Sequence, residues 1–209
     1  MSKPSAILLE LHYLPSIQYI SKFVQFEQVI IEQQENYHKS SYRNRCHIAS
    51  ANGMMRLSVP LVKGKNSQQN IQETTIAWYE NWTKKHWQAI RSGYGNSPFF
   101  EYYADELKPF FEKKYDTLFD WNKDLLFKIL ELLDIETTVT FTTDFVKETD
   151  ENILDFRNKI APKIEDLAYD SFFELQSYPQ VFTEKHGFLP NLSILDLLFC
   201  AGPESVAYL

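Results

Sequence analysis

The chain is 209 residues long, 44% hydrophobic and 15% aromatic, with a formal net charge of -7. Sixteen Phe and twelve Tyr exclude a disordered polar chain, and this length fits one domain with a sizeable core. Residues 1–35 balance to -2, residues 36–98 to +7 and residues 99–209 to -12, an asymmetry that points to an anion-binding segment within an acidic protein.

The first apolar run, "AILLELHYL", reads as a strand. It is short and broken by Glu10 and His12, so neither a signal peptide nor a membrane span is expected. "PSIQYISKFVQF" reads as a helix opening at Pro15, with Ile17, Ile20, Phe23 and Val24 on one stripe. "QVIIEQ" follows as a second strand. Strand, helix and strand this close together predict a βαβ unit with a parallel pair.

Between Glu35 and Glu73 there is no acidic residue, and the gap holds Lys39, Arg43, Arg45, Arg56, Lys63 and Lys65. Asn52-Gly53 lies between two alternating runs, the strongest short signal for a two-residue hairpin turn. Centring the turn on that pair sets Ile48 opposite Leu57 and Cys46 opposite Val59. Arg43, Arg45, His47, Arg56 and Ser58 then share the polar face, and Pro60 marks a sheet edge.

Asn81 is expected to cap a helix over "WTKKHWQAIRSGYG" that ends at Gly93 or Gly95. "FFEYYADELKPFFEKKY" reads as an amphipathic helix interrupted near Pro109. "DWNKDLLFKILELLDI" is the clearest helix, with Leu126, Ile129, Leu130 and Leu133 on one side. "TTVTFTTDFV" reads as a late strand, and Pro162, Pro179, Pro190 and Pro203 divide the tail into helices and loops. The expected fold class is α/β, with α+β as the alternative. An N-terminal βαβ unit and a basic β-hairpin precede a mainly helical C-terminal half. One domain spans 1–209, mostly strand with one helix over 1–75 and mostly helical over 76–209. Cys46 and Cys200 sit in apolar patterns as buried thiols, which fits a reducing compartment, the cytoplasm.

Two guanidinium forks on one strand face, about 7 Å apart at ordinary strand spacing, suit a diphosphate or a carboxylate-bearing ligand. The bland alternative is a charged strand edge that resists aggregation. Asn44 projects with the apolar face, where a structural hydrogen bond is its simplest role. Cys46 and His47 point to opposite faces and make no nucleophile–base pair. The turn "HYLPS" joins strand to helix at the place where open α/β sheets bind ligands, and Tyr13 there offers a ring for stacking. The ligand set read from these positions is Tyr13, Lys39, Tyr42, Arg43, Asn44, Arg45 and Lys63, with His86 as the catalytic base. No G-x-G-x-x-G, Walker loop, H-E-x-x-H or Cys/His cluster is present, so no dinucleotide, other cofactor or metal is expected. Six cations on an acidic chain make nucleic acid a poor third reading.

Several segments together resemble the WbqC-like protein family. They are "YLPSIQY" at 13–19, "YHKSSYRNRCHIA" at 37–49, the hairpin "NGMMRLSVPLVKGK" at 52–65, "NWTKKHWQAIRSGYGNSPFFEYY" at 81–103 and "EKHGFLPNLSILDLLFCAGPES" at 184–205. The ordered set covers most of the chain. The chain departs from the family pattern at Glu10-Leu11-His12, where relatives carry Gln-Pro-Asn or Ser-Thr-Ala, and at Cys200-Ala201, where the pattern reads "LLFNEGP". The resemblance implies a place in the synthesis of O-antigen-like surface polysaccharide, with transfer of an amino acid such as glycine, or of an acyl group, onto a nucleotide-linked amino sugar. An anionic sugar nucleotide is then the ligand, and biosynthetic enzymes are further partners. The alternative is a non-catalytic sugar-nucleotide-binding or scaffold module of such a complex.

Overall fold

Four consecutive apolar residues, Ala6–Leu9, form β1, and all four are buried. The structure, a computed structural model, describes residues 4–62, 69–163 and 167–209. Strand β1 pairs in parallel on both sides, with β2 (Gln28–Ile31) and with β6 (Ile153–Asp155). Strand β5 (Thr138–Phe141) adds in parallel to β2, giving the order β5-β2-β1-β6. A central strand of a parallel sheet is covered on both faces, so it reads as a continuous apolar run. The fold is α/β, as expected. Strands β5 and β6 come from the half expected to be mainly helical, so the sheet spans both halves of the chain.

The βαβ unit forms as read. Ser16 caps α1 (Ile17–Gln25), accepting from the Tyr19 N–H. Ile17, Ile20 and Phe23 are buried, whereas Val24 is 44% exposed and leaves the expected stripe. Position 22 takes its place unexpectedly: Lys22 is fully buried on α1 and paired to Asp170 at 2.7 Å.

The hairpin needs one correction. Strands β3 (Arg45–Ser50) and β4 (Gly53–Ser58) pair Cys46 with Leu57, Ile48 with Met55 and Ser50 with Gly53. The loop residues are therefore Ala51 and Asn52, one step earlier than expected. Gly53 stands at φ +95, while Asn52 is not among the residues with positive φ. A type I′ turn would need positive φ at both loop positions. A left-handed Gly just after the turn is instead the G1-bulge arrangement. The slip moves pairing by two residues, so the side chains within β3 and β4 keep their faces. Cys46, Ile48 and Leu57 stay buried and Arg56 stays exposed.

Helix α2 (Trp82–Tyr94) starts after Asn81, whose side chain makes no capping bond, and ends at Gly95. It lies close on the hairpin: a Cβ added at Gly93 would stand 2.7 Å from the Ala49 carbonyl oxygen. Helix α3 (Phe100–Glu112) runs through Pro109 and is not broken there. With only one turn remaining, the missing proline N–H costs little continuity. Helix α4 (Leu118–Leu132) buries Leu126, Ile129 and Leu130, with Leu133 buried at its C-cap. After the short α5 (Thr183–His186) comes α6 (Ile194–Ala201), buried at all eight residues. Both cysteines are buried and free. No helix among the described residues is long and apolar enough to cross a membrane.

Candidate functional site

The carboxyl ends of parallel strands are where open α/β sheets place ligands, because successive loops diverge there and leave a crevice. Here those ends are crowded with ionisable groups. Strand β1 runs into Glu10 and His12, β2 into Glu32 and Glu35, and β6 into Arg157 and Asn158. Arg43 enters from a 3-10 turn, Tyr42–Asn44, capped by the Ser41 hydroxyl.

Arg43 organises this cluster. Its guanidinium is fully buried and grips Glu35 with two bonds, Nε to Oε1 at 2.7 Å and a terminal nitrogen to Oε2 at 2.5 Å. The same terminal nitrogen donates to the Asn158 side chain at 2.9 Å. The other terminal nitrogen lies 3.7 Å from Glu10 and has no hydrogen-bond partner. Asn158, at φ +60, turns its backbone N–H onto the second oxygen of Glu10 at 2.9 Å. Nε2 of His12 donates to Glu10 at 3.0 Å, and its buried Nδ1 has no partner. Alongside, Arg157 chelates Asp155 and reaches Glu32 at 3.0 Å.

Four carboxylates thus share two guanidiniums. Burial pushes Glu10 up, but the His12 bond, Arg43 and the Asn158 N–H outweigh it and hold the carboxyl at about 2. Burial also raises Glu35. Arg43 opposes the rise, yet Glu10 and Glu32 reinforce it, and the carboxyl stands at about 7. A bidentate fork favours an ionised carboxylate. Desolvation is the largest influence against it, the Glu10 and Glu32 charges add to that, and together they set the upward direction. Burial lowers His12 despite its Glu10 partner.

A cavity of about 560 Å³ opens beside the cluster, lined by Glu35, His38, Asp155, Arg157, Asn158 and Lys159. Glu35 is only 4% exposed, so it sits at the inner end of this space. A carboxyl that gains and loses its proton near neutrality, with cationic side chains around the opening, can accept a proton from a bound amine or hydroxyl. Among the described residues, no group of His, Cys, Asp and Glu is arranged to hold a metal ion.

The residues expected to bind ligand are dispersed by the structure. Arg43 and Arg45 do not share a strand face, because Arg43 belongs to the 3-10 turn and points into the cluster. Glu35 and Asn158 occupy the fork that a diphosphate was expected to take. Arg45 begins β3, half-buried, with an unpartnered Nε. Asn44 donates to the Val59 carbonyl at 3.0 Å, the structural bond its position suggested. Tyr42 lies 3.4 Å from His47 through its hydroxyl. Lys39 is exposed, and Lys63 lies outside the described residues. Tyr13 and His86 do come together: the Tyr13 hydroxyl donates to Nδ1 of His86 at 2.9 Å. His86 also bonds the Ser58 backbone, and burial lowers its pKa to about 4. Both groups are buried, Tyr13 completely, so the pair is a packed, neutral contact rather than one facing the cavity.

Glu10, His12, Glu32, Glu35, Arg157 and Asn158 went unrecognised in the sequence. Their one signal was charge placed at the end of each apolar strand. Strand β6, only three residues long, carried too little pattern to show where Arg157 belongs.

A family model described as the WbqC-like protein family matches residues 11–163. The chain is also similar to the uncharacterized protein Rv1507c of Mycobacterium tuberculosis, 28% identical over 97% of this chain and 96% of that protein. No solved structure gives a significant match.

Proposed function

The chain belongs to the WbqC-like protein family, and from that premise we propose that it is a transferase acting on the amine of a nucleotide-linked amino sugar. The product would be an amide of the kind found in modified surface polysaccharide. One observation carries this reading: the Glu35 carboxyl, at about 7, lies at the inner end of a cavity on the carboxyl edge of the parallel sheet. In the reaction the amine nitrogen bonds to the carbonyl carbon of an activated amino-acid or acyl donor. The bond from that carbon to the donor's leaving group breaks, and Glu35 takes the proton the nitrogen sheds. Arg43 positions Glu35 through its two bonds, Arg157 and Lys159 offer positive charge to the diphosphate of the sugar nucleotide, and His38, whose pKa is lowered by burial, offers a neutral ring N–H.

The test incubates the purified protein with paired panels of nucleotide-linked amino sugars and activated amino acids, followed by mass spectrometry for the amide. Turnover is expected to rise with pH through about 7 as Glu35 ionises. Glu35→Gln is expected to lose about 10²- to 10⁴-fold in turnover while still binding the sugar nucleotide. A Glu35→Gln protein as active as wild type ends the assignment of Glu35, and no product from any pair ends the transferase reading. Both Glu35 oxygens already accept from Arg43, which favours a second reading as a sugar-nucleotide-binding module. Binding without turnover across the panels would select it.

A further inference from the structure

A larger cavity lies away from the sheet edge, about 790 Å³ between α2 and α3. Along α2, Lys84, Trp87, Gln88 and Arg91 fall at positions i, i+3, i+4 and i+7 and form one stripe. Facing it are Phe111 of α3, Lys114 just beyond its end, and Trp78 ahead of α2. Trp78 and Trp87 are half-buried, so each is anchored in the core with part of its ring left to the cavity. Trp87 rests 5.4 Å from Phe111, and Trp78 rests 5.3 Å from Trp82.

The charge around this space is positive in an acidic protein. Lys84, Arg91, Lys108 and Lys114 line it against two acids, Glu80 and Glu112. Both acids are already matched, Glu80 by Lys85 at 2.6 Å and Glu112 by Lys108 at 3.2 Å. Among the described residues Lys84, Arg91 and Lys114 make no ion pair, and Lys114 lies 5.9 Å from the Trp78 ring. A solvated helix face would carry such cations without a cavity and without two indoles among them. Here they surround a space within the range of small-molecule sites.

We propose that this cavity binds a nucleoside phosphate, with the base stacked on the indoles of Trp78 and Trp87 and the phosphates held by Lys84, Arg91 and Lys114. An indole face stacks on any nucleobase, and guanidinium and ammonium groups are the usual phosphate partners. The site is separate from the Glu35 cavity and does not rest on the reading of that cavity.

Titration calorimetry and tryptophan fluorescence, with the full chain, provide the test. The probes are the five common nucleoside 5′-diphosphates, inorganic pyrophosphate and the uncharged nucleosides. At least one diphosphate is expected to bind with quenching, about tenfold or more tighter than pyrophosphate or its parent nucleoside. Raised salt should weaken it. Lys84→Glu/Arg91→Glu, two exposed positions whose change should leave the circular dichroism intact, is expected to weaken binding about tenfold or more, whereas Lys147→Glu, the same charge change at an exposed residue that lines neither cavity, leaves it unchanged. No binding by any diphosphate, or equal binding by pyrophosphate alone, overturns the proposal. Binding kept in the Lys84/Arg91 variant but lost in Arg157→Ala also overturns it, and would move the nucleotide to the sheet edge.

Discussion

Two buried polar regions of this molecule handle desolvation in opposite ways. On the hairpin side, the buried side chains that pair are neutral: Tyr13 donates to His86, His86 bonds the Ser58 backbone, and Asn44 donates to the Val59 carbonyl while its own Oδ1 has no partner. At the carboxyl edge of the sheet, Glu10, Glu35, Arg43 and Arg157 are ionic, and the matching is incomplete, with one nitrogen of Arg43 and Nδ1 of His12 unpartnered. A buried histidine far from its titration range is structural. A buried carboxyl held near neutrality beside a cavity is the arrangement expected of a group that exchanges protons. The regions differ in buried charge, which gathers at the sheet edge beside a cavity and is absent from the Tyr13–His86 pair.

The largest expected effect comes from breaking the ionic region. Arg43→Met leaves Glu35 and Glu10 buried without their cation and should cost about 3–5 kcal/mol in urea unfolding. Arg43→Met/Glu35→Leu should recover much of that loss, since an apolar pair needs no desolvation. An Arg43→Met protein as stable as wild type would erase the distinction between the regions.

The next effect separates them by sign. His86 holds a pKa of about 4 in the folded chain against 6.5 ordinarily, so the unfolded state binds the extra proton. Its contribution is complete above 6.5 and is lost as pH falls toward 4. Glu35 stands at about 7 against 4.5, so the folded state binds the extra proton, and its contribution is lost as pH rises from 4.5 to 7. Each shift corresponds to roughly 3 kcal/mol. Unfolding free energies measured across this range should therefore diverge. Glu35→Gln should gain stability with pH more steeply than wild type, and His86→Gln less steeply. Parallel curves for the two variants would contradict the assignment of opposite titrations.

A smaller effect tests the neutral region alone. Tyr13→Phe leaves Nδ1 of His86 without a donor and should cost about 1–3 kcal/mol, with no change in the pH dependence of turnover. The smallest is a control outside both regions. Val24 is 44% exposed, and Val24→Ser should stay within about 0.5 kcal/mol of wild type, whereas the same change at a buried α1 position such as Ile20 should not.

Much of the fold was legible. The apolar runs of β1 and β2, the Pro15-Ser16 helix start and the periodicity of α4 are local signals, and each produced its element. The hairpin shows the limit of such signals. Alternation assigned the side chains of β3 and β4 to their faces but misplaced Arg43, which lies in the turn before β3; the pairing depended on which backbone position took positive φ, a choice between turn types that Asn52-Gly53 left open. The candidate site was less legible still. The basic segment was visible, yet its strongest member, Arg43, is spent on Glu35 inside the protein, and the groups beside the cavity come from strands read only as apolar runs.

From the sequence alone follow the α/β class, the parallel βαβ start, the buried and solvent faces of the hairpin, and the likeness to the family. All but the likeness depend on side chains a few residues apart, where helical and strand periodicities act; the likeness depends on the order of several segments along the chain. Only the tertiary structure could decide which charges are free. Arg43 donates to the Asn158 amide across 115 residues and Arg157 pairs with Glu32 across 125, and both the hydrogen bond and the ion pair depend on distance in space, which no local pattern encodes.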